Sequence, residues 1–410
     1  MKLEQVSLIV GLDWADQAHT CSWQKPDGTP VGQEQVGAAP EQLGPWFDRL
    51  RRAHPQGQIV VVLERPDGPV VELLRARPGF VIVAVNPVML HRFRQAFTPS
   101  GAKGDPGDAR LLAEIVRTHP ERFTALATPE PRLRTLAALV RQRRHWVDTR
   151  TGLVEQLSAT LKQYYPQALE LAGADLASPM ARAFLRRWPD LAAVQRTRWG
   201  TLERFYRRHH AGRVAVLARR RALVQQAQPV NAQACYVAPR RLQVHTIVGQ
   251  LGALAESLAR YEAAIAQAYA EAPGRAVIDS LPGVGPVLAP RLWVACQQAG
   301  PTPTAVELAQ RSGIAPVQKQ SGQSQGVFFR HARPRFLHQT WTEFASHSIE
   351  ACAWAQAYHD QRAAQGCGAG AIRRALAFKW TRIIARLWRD QVPYDDHYYT
   401  AQRAARLTAA

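Results

Sequence analysis

The chain has 410 residues, with 52 Lys and Arg against 32 Asp and Glu, a formal net charge of +20. That excess argues against an ordinary small-metabolite enzyme and favours a polyanionic partner, because each phosphate neutralised by Arg or Lys releases condensed counterions. A composition of 46% hydrophobic and 20% charged residues excludes a disordered or collagen-like chain. The five cysteines, Cys21, Cys235, Cys296, Cys352 and Cys367, stand singly, which supports neither a zinc site nor a disulfide scaffold and suits a reducing compartment. No apolar run approaches the ~20 residues of a membrane helix, and no export signal opens the sequence, so a soluble protein that is not exported is expected.

The first ~120 residues read as alternating strands and helices. Residues 7–11 form a short apolar run, Pro26-Asp27-Gly28 is a turn, and 29–36 is expected to return as a paired strand. Leu43, Phe47 and Leu50 give 41–53 helical spacing. The β-branched runs 58–63 and 80–85 suit central strands covered on both faces, and a helix at 70–77 between them makes a βαβ unit. An α/β domain with a mixed sheet follows. Beyond Asp108 the pattern turns helical. Leu133, Leu136, Val140, Val147, Val154, Leu157 and Leu161 mark a long helix, compatible with a coiled coil, and a second long helix is expected at 242–270. The chain closes with amphipathic helices at 336–361 and 369–391. The expected division is 1–125, 126–275 and 276–410.

Half of the net charge sits in a tenth of the chain. Residues 182–221 hold twelve Arg against Asp190 and Glu203, a local net of +10, with Trp188, Trp199, Phe205 and Tyr206 interleaved. Such a mixture suits phosphate contacts plus stacking on unpaired bases, with Arg186, Arg187, Arg207, Arg208, Arg219 and Arg220 as the candidate contacts. The plainer reading is a solvated helical face in an arginine-rich proteome.

Four carboxylates form the candidate chemical centre. Asp13 follows the first strand and Glu64 follows the strand 58–63, so both fall at strand C-terminal ends. Asp105 and Asp108 stand three apart just before a helix expected at 109–117, on one face and at the positive end of its dipole. Phosphodiester chemistry commonly uses divalent metals held by such acids. Singly, each acid is as readily a loop residue or a helix cap. Together, strand-Asp, strand-Glu and Asp-x-x-Asp before a helix are the arrangement of a RuvC-like, RNase H-type nuclease fold.

The C-terminal region opens with Leu281-Pro282-Gly283-Val284-Gly285-Pro286, a helix-hairpin-helix type turn whose glycines Gly283 and Gly285 expose backbone N–H groups to a phosphate. Residues 312–326 read as a polar, glycine-rich loop containing Lys319, Ser321 and Ser324, followed closely by Arg330, His331, Arg333 and Arg335. A serine there is a nucleophile if it is deprotonated while a cation holds the phosphate, and otherwise only a loop serine.

These pieces, taken in order, resemble the DEDD transposases of the insertion sequence 110 family, recombinases guided by a bridge RNA. The resemblance is carried by Gly11-Leu12-Asp13, Leu63-Glu64, Val85-Asn86-Pro87, residues 103–110, 281–285, Gly313-Ile314-Ala315-Pro316, Gln320-Ser321-Gly322 and Val392-Pro393-Tyr394-Asp395, and spans essentially the whole chain. Arg65-Pro66-Asp67 after Glu64, and Pro106-Gly107 inside the Asp-x-x-Asp motif, depart from the usual pattern without removing a carboxylate. The resemblance implies a RuvC-like domain, a coiled-coil linker and a mainly helical C-terminal transposase domain. It further implies Mg²⁺ or Mn²⁺ held by Asp13, Glu64, Asp105 and Asp108, and Ser321 as the nucleophile of a phosphoserine link to DNA, with Ser324 the alternative in the same loop. Donor and target duplex DNA, a structured guide RNA and further copies of the chain, as a dimer of dimers, are the implied partners. Action in the bacterial cytoplasm at the nucleoid is implied too. Two rivals remain at this level: a junction-resolving nuclease in which the acids activate water, and a non-catalytic nucleic-acid-binding scaffold.

Overall fold

The computed structural model describes residues 3–97, 105–321, 324–328 and 333–401; the side chains at 97, 105, 106, 318–321 and 324–328 lie outside that description. Two compact units result, Met1–Pro129 and Glu130–Ala410.

The first unit runs β1 (Val6–Asp13), β2 (Ala18–Gln24), β3 (Pro30–Gly37), α1 (Pro40–Ala53), β4 (Gln58–Leu63), α2 (Pro69–Arg75), β5 (Phe80–Ala84), α3 (Pro87–Phe97) and α4 (Asp105–Thr118). Its five strands lie in the order β3-β2-β1-β4-β5. The first three form an antiparallel meander, and β1, β4 and β5 are parallel. The expected mixed sheet is present, with one strand more than the sequence suggested. Residues 29–36 pair with β2 rather than with β1, and the Pro26-Asp27-Gly28 turn joins β2 to β3. There Asp27 Oδ1 accepts the Thr29 N–H at 2.8 Å and Gly28 takes φ +93°, a conformation that favours glycine. β2 was hidden because it is buried on both faces and most of its buried residues are polar: Thr20, Ser22 and Gln24 on one face and His19 beside Cys21 on the other, so no apolar alternation marks the strand.

Both faces of the sheet are covered. Leu8, Val10, Leu12, Ile59, Val61 and Leu63 pack with Leu43, Trp46 and Phe47 of α1 and with Val70, Val71 and Leu74 of α2. Ile9, Val60, Val62 and Val83 pack on the opposite face with Leu90 of α3 and Leu112, Ile115 and Val116 of α4. Full burial of a Val, Leu or Ile side chain contributes roughly 1.5–3 kcal/mol. Two-sided coverage is why β4 reads as an unbroken apolar run.

Among the described residues the second unit is helical apart from one strand pair. It opens with the long α5 (Pro131–Tyr164), continues through α6 (Ala168–Leu171), α7 (Pro179–Arg187), α8 (Leu191–Gln195), α9 (Trp199–Arg208) and α10 (Val214–Gln226), and returns along α11 (Ala234–Ala270). α5 and α11 lie antiparallel, pinned by Arg132 to Glu271, Arg143 to Glu262 and Tyr236 to the Gln163 carbonyl. α11 begins eight residues before the start expected from its apolar spacing, because Val237 and the residues around it pack on the small helices rather than along the stripe. One core lies where α7–α10 pack on the C-terminal part of α5, around Tyr165, Phe184, Trp188 and Tyr206.

The other core gathers α12 (Arg275–Asp279), α13 (Leu288–Ala299), α14 (Ala305–Arg311), α15 (Arg335–Ala351), α16 (Ala353–Ala364) and α17 (Ala369–Asp390) around Trp293, Trp341 and Trp380. The single helix expected at 336–361 is two, because Cys352 adopts an extended backbone at φ −143°. Residues 312–326 are not a loop throughout: β6 (Val317–Ser321) and β7 (Ser324–Phe328) pair antiparallel. Their Gln and Gly content concealed a strand pair that Val317, Val327 and Phe328 only weakly announce.

Candidate active site

The sheet register brings the first two acids together. Gly11 pairs with Val62 in the parallel β1–β4 ladder, and Asp13, the last residue of β1, and Glu64, the first residue past β4, both stand at the C-terminal ends of these neighbouring strands. Asp13 closes β1 opposite Thr20 of β2. Glu64 starts the bend toward α2 and lines a cleft with Leu12, Trp14, Arg65 and Asp67.

Gly11 determines how the helix meets this edge. A Cβ on Gly11 would stand 1.8 Å from the Ala109 carbonyl oxygen and 2.8 Å from the Ala113 nitrogen, so α4 rests directly on the β1 backbone. Only glycine allows that approach. Ile9 packs on the α4 face and Gln24, opposite it in β2, donates to Glu114 of α4 at 3.2 Å. By strand alternation Gly11 and Asp13 share that face. Asp108, one residue before Ala109, is therefore held over the same strand end. The acids at 105 and 108 lie inside the helix, in the first turn of α4, rather than ahead of it as expected; the Asp105 side chain is outside the described residues.

Asp108 is 5% exposed and ion-paired: Arg94 of α3 donates its Nε–H to Asp108 Oδ1 at 2.7 Å. Among the described residues no three His, Cys, Asp or Glu side chains gather as a metal-holding group. The donor set nonetheless suits a hard cation, being all carboxylate oxygen at one strand edge, and a cationic side chain already meets the buried member. His19, almost fully buried on β2, accepts the Ala15 N–H through Nδ1 at 3.2 Å. Burial lowers its pKa, so the ring is neutral at neutral pH.

The sequence reading missed Arg94 and His19. The helix α3 that carries Arg94 was not expected, and nothing in its spacing marked a partner for Asp108. A glycine inside an apolar strand was the available signal for the Gly11 contact.

In the second unit the arginine-rich segment requires correction. Trp188, Phe205 and Tyr206 are core residues, at 3%, 9% and 1% exposure, and are not stacking platforms for bases. Trp199 packs partly against the same core. Arg220 is buried too: its guanidinium lies 4.2 Å from the Tyr206 ring centroid and donates to the Ala211 carbonyl at 3.3 Å, which removes it from the phosphate-contacting set. The aromatic spacing had a simpler cause, the inward faces of α7 and α9. Arg186, Arg187, Arg207, Arg208 and Arg219 are exposed, with Arg207 paired to Glu203 and Arg219 to Glu170.

In the 281–286 turn Gly283 takes φ +74°, and a Cβ there would meet the His347 carbonyl oxygen at 2.7 Å, so this glycine is required by packing on α15. The Gly285 carbonyl accepts the Leu288 and Ala289 N–H groups and starts α13. Ser321 and Ser324 are register partners at the end of the β6–β7 ladder, and Lys319 lies within β6; the side chains of all three are outside the described residues. Arg330 lies wholly outside them. Arg333 packs its Cβ toward Gly313, which takes φ +68°.

Acids at the edge of a mixed sheet, together with a strongly basic helical unit, define a class of protein that works on nucleic acid. Residues 10–166 match a family model described as Transposase, of the DEDD type of IS110 elements, and residues 275–360 match one described as Transposase IS116/IS110/IS902 family. The chain belongs to the IS110 family of transposases. It is 33% identical over 218 residues to y4uE, a candidate transposase of Sinorhizobium fredii, a match spanning 51% of this chain and 59% of that protein. It is 25% identical to the mini-circle candidate transposase for IS117 of Streptomyces coelicolor, over 91% of this chain and 92% of the relative. It is 26% identical to the uncharacterized 43.6 kDa protein of insertion element IS110 from Streptomyces coelicolor, over 96% of each. No helix among the described residues is long and apolar enough to cross a membrane.

Proposed function

We propose that the protein is an RNA-guided DNA transposase that cuts and rejoins strands through a covalent serine link. What supports this reading is that Asp13 and Glu64 stand at the C-terminal ends of neighbouring parallel strands, while the Gly11 contact holds the first turn of α4, with Asp108, over β1. Asp13, Glu64, Asp105 and Asp108 would hold Mg²⁺ or Mn²⁺, which when bound supplies charge stabilisation at the phosphate being transferred.

The chain's own residues do the rest. The Ser321 hydroxyl attacks the phosphorus, losing its proton; the P–O3′ bond breaks, leaving a free 3′-hydroxyl and a 5′-phosphoserine. Attack by another strand's 3′-hydroxyl reverses the step and releases the serine, so no external energy source is required. Ser324 is the alternative nucleophile at the opposite register position. Basic side chains position the backbones while pairing to a guide RNA selects donor and target duplexes, a division of labour known from other RNA-guided systems. Further copies of the chain, as a dimer of dimers, would complete the assembly, which acts at the nucleoid. Gly283 and Gly285, Lys319, Arg330 and Arg333 are the proposed backbone contacts of the C-terminal region. The test is cleavage of duplex DNA bearing the element's ends by protein with its co-purified RNA, expected in Mg²⁺ and absent in EDTA.

The exposed arginines give a separate expectation. Reversing Arg186, Arg187, Arg207 and Arg208 to Glu should weaken RNA and DNA binding and make the salt slope shallower by roughly 0.7–0.9 for each phosphate no longer neutralised. Arg220→Ala should instead lower the melting temperature and leave the salt slope unchanged, because that guanidinium is buried. Filter binding across a salt series and a thermal melt separate the two; an unchanged slope in the Glu variants would remove this surface from the account.

A further inference from the structure

We infer that Arg94 is a positioning residue that occupies the cation's place beside Asp108 and must release that carboxylate before the acidic site can load a metal. The inference rests on the metal-site reading above. Two observations otherwise stand apart. The register and the Gly11 contact bring acids to one edge, yet no three described acids gather into a metal-holding group. Asp108 meanwhile points its Oδ1 at the Arg94 guanidinium, with side-chain exposures of 16% for Arg94 and 7% for Asp108.

A buried carboxylate without a counter-charge is costly, so the metal-free protein needs Arg94. A divalent cation beside the half-buried Arg94 guanidinium is costly for the opposite reason, like charges at short range in a poorly screened place. The two cations are therefore exclusive partners of Asp108. The pair lies between α3 and α4, and the exchange moves a side chain rather than the sheet. Arg94 thus keeps the nuclease centre stable and unloaded until metal binds.

The distinguishing prediction has opposite signs for two readouts. Arg94→Gln in the full chain should melt at a lower temperature in EDTA, because Asp108 loses its partner. The same variant should bind Mn²⁺ tighter, by about tenfold or more, with a larger metal-induced rise in melting temperature than wild type. Mn²⁺ titration followed by electron paramagnetic resonance and by thermal shift reads both. Tightening of Mn²⁺ binding supports the inference. A melting loss with unchanged or weaker Mn²⁺ binding overturns it, leaving Arg94 a structural partner only. Arg94→Lys, which keeps the charge, provides a second measurement if the Gln variant does not fold: it should bind Mn²⁺ no more than a few-fold tighter than wild type, and tightening as large as that expected for Gln would overturn the charge argument. Asp13→Asn distinguishes failure of the underlying reading, since Mn²⁺ binding unaffected by that change would mean the acids do not form a metal site.

Discussion

Asp13→Asn is expected to abolish DNA strand cleavage, with a loss on the order of a thousandfold or more, while the protein folds and binds nucleic acid as before. The reason lies in where the residue stands. Asp13 is the last residue of β1, only partly buried, and Asn keeps its size and its ability to pair with surrounding donors, so the sheet loses little. What is lost is a negative charge at the strand edge, which is the property that holding a divalent cation requires. Glu64→Gln should behave alike. Asp108→Asn should not: besides losing cleavage, it leaves the half-buried Arg94 facing a neutral group, at a cost of about 1–3 kcal/mol in stability. A circular-dichroism melt beside a cleavage assay checks all three. Retained cleavage in Asp13→Asn would remove the acidic edge from the chemistry.

Gly11→Ala is expected to destabilise the first unit by about 3 kcal/mol or more and to disable cleavage with it. The added methyl meets backbone, not a movable side chain: the Ala109 carbonyl at 1.8 Å and the Ala113 nitrogen at 2.8 Å. α4 must therefore lift from β1, taking Ile115 and Val116 partly out of their core and carrying the turn with Asp105 and Asp108 away from Asp13. Addition of Mg²⁺ should not restore cleavage, since the carboxylates are displaced rather than neutralised. Calorimetry with a parallel cleavage assay reads both effects. A melting temperature within a degree of wild type would show that the close approach is not a constraint.

Much of this was legible from the sequence because the site is built on strand ends. The apolar runs at 58–63 and 80–85 located β4 and β5, and the acids at the ends of the first two parallel strands could be placed from the residue pattern, although Asp13 is the last residue of β1 rather than the residue after it. β2 could not, since its buried face is Thr20, Ser22 and Gln24, whose partners across the sheet and in α4 lie far away in sequence. Arg94 was illegible for a related cause, its partner standing fourteen residues on and in another helix. In the basic segment, composition misled. Arginine beside Trp188, Phe205 and Tyr206 resembles a base-stacking surface, but helical spacing turns the rings inward and the arginines outward. Composition alone does not carry that phase; the periodicity of α7 and α9 does.

If strands are joined through a serine link, a hydroxyl at the end of the β6–β7 ladder becomes bonded to DNA in a reaction that needs the acids of the first unit. The most direct measurement is capture of the protein on end-labelled duplex DNA in Mg²⁺, resolved under denaturing conditions, with the modified peptide sequenced. The expected result is a denaturation-resistant adduct at Ser321 that disappears both in Ser321→Ala and in Asp13→Asn. Cleaved DNA with no attached protein, or an adduct undiminished by Ser321→Ala and Ser324→Ala together, would contradict it.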